Sequence, residues 1–291
     1  MLSPAIIIAA IFTLLPFLAA AFFAKNLVGL TEKLPMAARL LGPAVLCVPY
    51  LLVACSSGTF RWGWLALYAL LPVALSTLMW KASRADPEQR GNWRDFLVLA
   101  TLGLAVDLRW FEHAWPAHLA VFNKMLLLDA GIYGLLVLRQ LDGVGFDLRL
   151  RPRDLGIGLR ECAFYAPVAI ALGLEIGFLH LHPLWPSLPR LTGALVFTFF
   201  FIAAPEELFF RGWIQNLLER RMGRYAALLL TSALFGLAHF NKRSVHFNWR
   251  YVLLAAVAGI FYGRAWRQQR RVAASAITHA CVDTIWSIWL R

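Results

Sequence analysis

Apolar residues in this chain come in continuous runs instead of alternating. Ten runs stand out against the about 17–25 residues that a helix needs to cross a bilayer. They are Ser3–Phe23, Met36–Cys55, Gly63–Trp80, Phe96–Val106, Leu119–Leu138, Cys162–Leu181, Leu191–Leu218, Ala226–Phe240, Tyr251–Ala265 and Val272–Leu290. The shortest, Phe96–Val106, reads as a re-entrant piece or as part of a longer helix. The pattern predicts an all-α, polytopic transmembrane helical bundle of about 8–10 spans. A membrane β-barrel needs strands that alternate apolar and polar residues, and these runs do not alternate. No basic residue precedes Ser3 and no small-residue cleavage site follows the first run, so a retained span is expected there and not a cleaved signal peptide.

Composition agrees with that class: 60% of residues are hydrophobic, 15% are charged, and the mean hydropathy is +0.64. The net charge of +12 comes without a polybasic tract, zinc-finger spacing or a stacking-aromatic motif, so nucleic acid is not an expected partner. Topology accounts for the charge. The connections Lys25–Arg39, Lys81–Arg94, Arg139–Arg160, Arg220–Arg224 and Arg264–Arg271 hold nineteen Lys and Arg residues. The alternate connections hold seven: Arg61, Arg109, Arg190, Lys242, Arg243, Arg250 and Arg291. The positive-inside rule then places both termini outside the cytoplasm, in the plasma (inner) membrane if the source is bacterial. Cys47, Cys55, Cys162 and Cys281 lack CxxC spacing and are expected to pack as small hydrophobes.

The polar stretch 139–161 reads as a cytoplasmic linker between N-terminal helices (1–138) and a C-terminal core (162–291). In the N-terminal half, Lys124 and Asp129 are the ionisable residues within a span. They suit a structural ion pair, or a Lys124 that reaches to the interface.

Chemistry concentrates in the C-terminal core. In "FFFIAAPEELFFRGW", Glu207 and Arg211 are i and i+4 and share a helix face, so they can pair. Glu206 is rotated by about 100° from Glu207 and is expected to stay uncompensated within its segment. An unpaired carboxylate in apolar surroundings gains basicity, which suits a general base, although a structural clamp is the competing reading. A hairpin turning near Met222–Gly223 places Glu206 level with His239 of "LTSALFGLAHF", with Phe235 one turn below His239 on the same face. In "ITHACVDTIW", His279 and Asp283 are again i and i+4; an aspartate there can orient an imidazole, and these residues could also ligate a metal. No HExxH spacing of a zincin is present.

Taken in order, "EELFFR", "FGLAH" and "HACVD" resemble the EExxxR, FxxxH and HxxxN/D motifs of the CAAX protease and bacteriocin-processing family. These intramembrane proteases are also called Abi or type II CAAX endopeptidases. The resemblance covers roughly Leu191–Leu290. It implies an intramembrane endopeptidase in which Glu206, with His239, activates a water for attack on a peptide carbonyl. Glu207 and Arg211 would organise the site, His279 and Asp283 would polarise the carbonyl, and Phe235 would contact substrate. Asp283 stands where the prenyl-protein branch resembles this set with Asn, and an ionised Asp accepts hydrogen bonds without donating them.

No cofactor is expected under a glutamate-type mechanism. If a divalent metal such as zinc is used, Glu206, His239 and His279 are its expected ligands. Expected partners are a membrane-tethered protein or peptide substrate and the bilayer itself. A proton-coupled transporter is the alternative of a different class, but it would carry inverted repeats with paired broken helices, and none is visible. A non-proteolytic immunity or scaffold member would keep the fold and tolerate loss of Glu206.

Overall fold

The computed structural model describes residues 3–183, 185–242, 244 and 246–290. Arg243 and Arg291, counted above, lie outside the described residues. Among the described residues all regular structure is helical, in ten helices. These are α1 (Pro4–Glu32), α2 (Met36–Ser57), α3 (Trp62–Ala85), α4 (Trp93–Asp107), α5 (Ala117–Leu138), α6 (Pro152–Glu175), α7 (Leu188–Met222), α8 (Arg224–Leu237), α9 (Trp249–Gln269) and α10 (Val272–Trp289). Six of them, α1, α2, α3, α5, α6 and α7, are long and apolar enough to cross a membrane. The chain is thus a polytopic helical membrane protein. The other four were also expected as spans. α4 and α8 are shorter, at 15 and 14 residues. Polar residues interrupt the last two, Arg264 and Arg267 in α9, His279 and Asp283 in α10.

The chain divides into two compact units, Met1–Asp142 and Gly143–Arg291. In the first, Ser3 caps α1 by accepting the Ile6 N–H, and Pro4 opens the helix without losing a hydrogen bond. Gly58, at φ +70°, ends α2 in the left-handed conformation that glycine adopts at little cost. Arg139 at the end of α5 is buried and donates to Asp95 at 2.9 Å and to Asp86 at 2.6 Å. Asp95 also accepts the Asn92 N–H and so completes the capping box of α4. Lys124 and Asp129 form no pair. Five residues apart, they leave α5 on different faces: Lys124 is exposed, and Asp129 is buried with neither carboxylate oxygen hydrogen-bonded.

Residues 139–161, expected as a linker, do not behave as one piece. Arg139 belongs to the first unit, and Pro152–Glu161 forms the opening turns of α6. The stretch between them is fastened within the second unit: Val144 accepts from the Trp266 indole and Gly145 from the Val272 N–H. The basic residues of this unit collect here on a few buried and half-buried acids. Arg271 donates to Asp154 at 2.9 Å and to Asp147 at 3.1 Å, Arg270 to Glu219 at 2.7 Å, and Arg264 lies 3.2 Å from Glu161.

Small residues set the helix spacing in the second unit. α8 and α9 run antiparallel, with Gly259 against Ser232 and Gly236 against Val252 and Ala256. A Cβ on Gly236 would lie 2.5 Å from the Val252 carbonyl oxygen. This is the close approach that small residues permit between helices in lipid. All four cysteines are free; Cys162 is buried, whereas Cys47 and Cys281 are half-buried and Cys55 is exposed, so burial of all four is not what the fold delivers.

Two predictions follow from this packing. Gly236→Ala forces α8 from α9 and lowers the stability of the second unit by about 1–3 kcal/mol. Gly193→Ala, where no atom lies within 4 Å of the added carbon, leaves stability unchanged. Unfolding midpoints of both variants in detergent check this pair. The second prediction concerns Asp147. Its partial burial acts to raise the carboxyl, but hydrogen bonds from Arg149 and Arg271 outweigh that and hold it at about 2, below its ordinary 3.8. The stabilisation is therefore complete above about pH 4 and is lost as pH falls through 2. Wild-type midpoints should drop across that window more steeply than those of Asp147→Asn.

Candidate active site

Pro205 supplies no N–H for an α-turn onto Phe201, and α7 widens into π-helical turns at Phe199–Ala203 and again at Leu208–Gln215. Turns of this kind re-aim side chains and recur at functional sites. Between them stand Glu206 and Glu207. Glu207 and Arg211 are both fully buried, and the Arg211 Nε–H donates to Glu207 Oε2 at 3.0 Å. The clamp read from the sequence is present. The guanidinium carbon lies 5.1 Å from the Phe235 ring centroid, and Phe210 and Tyr262 each lie 6.0 Å from it. The remaining Arg211 nitrogens thus face aromatic rings, a favourable setting for a buried cation.

The second Glu207 oxygen, Oε1, lies 2.9 Å from His279 Nδ1. On its other side, His279 Nε2 faces two carboxylates, Asp283 Oδ2 at 3.5 Å and Glu206 Oε2 at 4.0 Å. Tyr262 stacks on the imidazole at 4.6 Å with 15° between the planes, and Phe235 meets it edge-on at 5.6 Å. His279 is thereby fixed in position and orientation by five neighbours.

His239 sits just past the end of α8. Its Nδ1 lies 2.8 Å from the Phe235 carbonyl oxygen, which can only accept, so Nδ1 carries the proton. That leaves the Nε2 lone pair to the Lys242 ammonium at 3.2 Å. Lys242 Nζ also lies 3.6 Å from Glu206 Oε1. Glu206 was expected to be uncompensated within its own segment and level with His239. A lysine from outside that segment, three residues beyond His239, reaches both side chains on its flexible stem.

Beside this cluster lies a cavity of about 80 Å³, well above the roughly 10–15 Å³ that one water requires. His239, His279 and Asp283 supply its polar wall, and Tyr165, Tyr251, Tyr262 and Trp286 much of the rest. Phe235 lines it too but is 2% exposed, so it packs the floor of the site more than it offers a surface to substrate. Among the described residues, no group of three or more His, Cys, Asp or Glu side chains is disposed to hold a metal ion. Glu206, His239 and His279, the set expected if a metal binds, are thus not drawn together as ligands.

All seven residues singled out from the sequence lie in the second unit, and the fold brings them around one point. Three participants were missed. Lys242 was counted as a loop charge, although its i, i+3 spacing from His239 was a usable signal. Tyr262 and Tyr251 come from α9, which carries no motif, and nothing local marks either as part of a site.

Residues 185–285 match the family model described as type II CAAX prenyl endopeptidase Rce1-like. No curated protein and no solved structure matches the chain. The matched segment runs from just before α7 to Ile285 and contains Glu206, Glu207, Arg211, Phe235, His239, Lys242, His279 and Asp283. Over these residues the chain is similar to the Rce1-like type II CAAX prenyl endopeptidases, a family of peptidases.

Proposed function

We propose that the chain is an intramembrane endopeptidase that hydrolyses a peptide bond of a membrane-tethered protein or peptide with a water activated by Glu206. The observation that carries this reading is one continuous chain of polar contacts. Lys242 meets both His239 and Glu206, and Glu206 lies 4.0 Å from the His279 that Glu207 holds.

Glu206 is the general base. It takes the proton of a water held beside its carboxylate, and the Lys242 ammonium, seated on the His239 Nε2 lone pair, orients that carboxylate. The hydroxide attacks the scissile carbonyl. His279 donates from Nε2 to the developing oxyanion while its Nδ1–H stays on Glu207, so the ring cannot rotate away. Asp283 accepts the Nε2–H in the resting site and gives it up to the substrate oxygen; this resolves how a residue that cannot donate can still serve there. Glu206 then returns its proton to the leaving amine. The aromatic cavity beside His239, His279 and Asp283 accommodates an apolar segment next to the scissile bond. The reading calls on no metal: the Lys242 ammonium supplies positive charge 3.6 Å from Glu206 Oε1 and 3.2 Å from His239 Nε2.

In proteoliposomes with a membrane-tethered reporter, Glu206→Gln and His279→Ala should each lower kcat/KM by about 10²–10⁴-fold with helical content retained. A Glu206→Gln chain that cleaves at the wild-type rate overturns the assignment of the base. Chelation should leave the wild-type rate unchanged, and a rate abolished by chelator and restored by zinc overturns the metal-free mechanism. Membrane proteomics comparing wild type with Glu206→Ala, reading for a chain that keeps its terminus, identifies the substrate.

A further inference from the structure

α6 and α10 run parallel along a tight seam. Asp154 meets Arg271 at its base, and one turn higher Thr278 donates to the Gly158 carbonyl at 3.2 Å. A Cβ on Gly158 would lie 2.6 Å from Ile277 Cγ2 and 3.0 Å from the Ala274 oxygen, so the two backbones nearly touch. Four residues further along each helix, the same register sets Cys162 opposite Cys281, with their thiols close enough to interact. Close backbones at the preceding turn favour the Cα separation of about 4.4–6.8 Å that a disulfide requires.

The pair also adjoins the candidate active site. Cys281 lies between His279 and Asp283 on α10, and Cys162 lines the cavity that both residues wall. Cys281 stands ten residues above Arg271, about 15 Å along the helix from the basic end, where a lipid-soluble reagent has better access than an ionic one.

We propose that Cys162 and Cys281 form a modification site. This dithiol closes reversibly to an intramolecular disulfide by exchange with a lipid-soluble disulfide and, in closing, pins His279 and Asp283 to α6. The coupling to cleavage rests on the peptidase reading; the disulfide itself does not. The more exposed Cys281 attacks one sulfur of the oxidant as thiolate, forming a mixed disulfide and releasing one thiolate. Cys162 then attacks the Cys281 sulfur, the protein disulfide forms and the second thiolate leaves. The two protons of the cysteines end on the two released thiols, so the oxidant is reduced as the pair is oxidised.

The full chain in nanodiscs, treated with the aromatic disulfide 4,4′-dithiodipyridine, should lose two hydrogens in intact mass at this pair. It should yield one cross-linked peptide joining Cys162 to Cys281, and dithiothreitol should reverse both changes. Cys162→Ser should stop at a stable mixed adduct on Cys281. Stable separate adducts on both cysteines of the wild type, with no cross-linked peptide, overturn the site. On closure, reporter cleavage should fall at least about tenfold and recover with reductant, since small displacements of reacting groups carry rate losses of that order or more. In Cys281→Ser the rate should be the same before and after oxidant. A cross-linked chain that cleaves as fast as the reduced one overturns the coupling to the site. A chain that cross-links but cleaves nothing in either state overturns the peptidase reading and upholds the disulfide.

Discussion

Glu207 is the residue on which the site depends. One of its carboxylate oxygens is held by Arg211 and the other by His279, and all three side chains are buried. Burying a charge in an apolar bundle is tolerated only where partners and hydrogen bonds replace water, and removing one member of such a set costs about 3–5 kcal/mol. Glu207 therefore links α7 to α10 with a directional bond in surroundings that otherwise offer only packing. It also decides what His279 can do, because a ring tied at Nδ1 has only Nε2 left to present to Glu206 and Asp283.

The rest of the second unit can be understood as the support for that link. Close seams at Gly236, Gly259 and Gly158 fix helix spacing to within a side chain. The bonds of Arg271, Arg270 and Arg264 to Asp147, Asp154, Glu219 and Glu161 close one end of the unit. Four of the eight acids of this unit are thus committed to structural pairs at that end, and the carboxylates of Glu206, Glu207 and Asp283 serve the middle. The π-helical turns on either side of Glu206 and Glu207 let neighbouring carboxylates take different roles. One faces the Arg211 and His279 clamp, and the other faces Lys242.

Legibility from sequence followed the range of the interaction. The Glu207–Arg211 and His279–Asp283 pairs are four residues apart, and helical geometry alone sets them on one face. The hairpin at Gly223 and the level of His239 followed from equal rise along two antiparallel helices. The approach of Lys242 to Glu206 was not legible because Lys242 lies beyond the end of α8, where helical periodicity no longer says where a long side chain reaches. The linker was misjudged because polar composition marks solvent contact, and residues 152–161 are polar on a helix that buries Asp154 and Glu161.

By itself, the sequence determined the helical membrane class and the candidate residues that the fold gathers around one point. Those follow from the apolar runs and from motif spacings of four residues, which need no knowledge of neighbouring helices. Only the tertiary structure decided which nitrogen of each histidine is engaged, that a lysine stands between the glutamate and His239, and that Tyr262 stacks on His279. It also decided that Cys162 faces Cys281. These are contacts between residues that are near in space because whole helices pack, and their geometry is set by small residues and buried ions far from the motifs themselves.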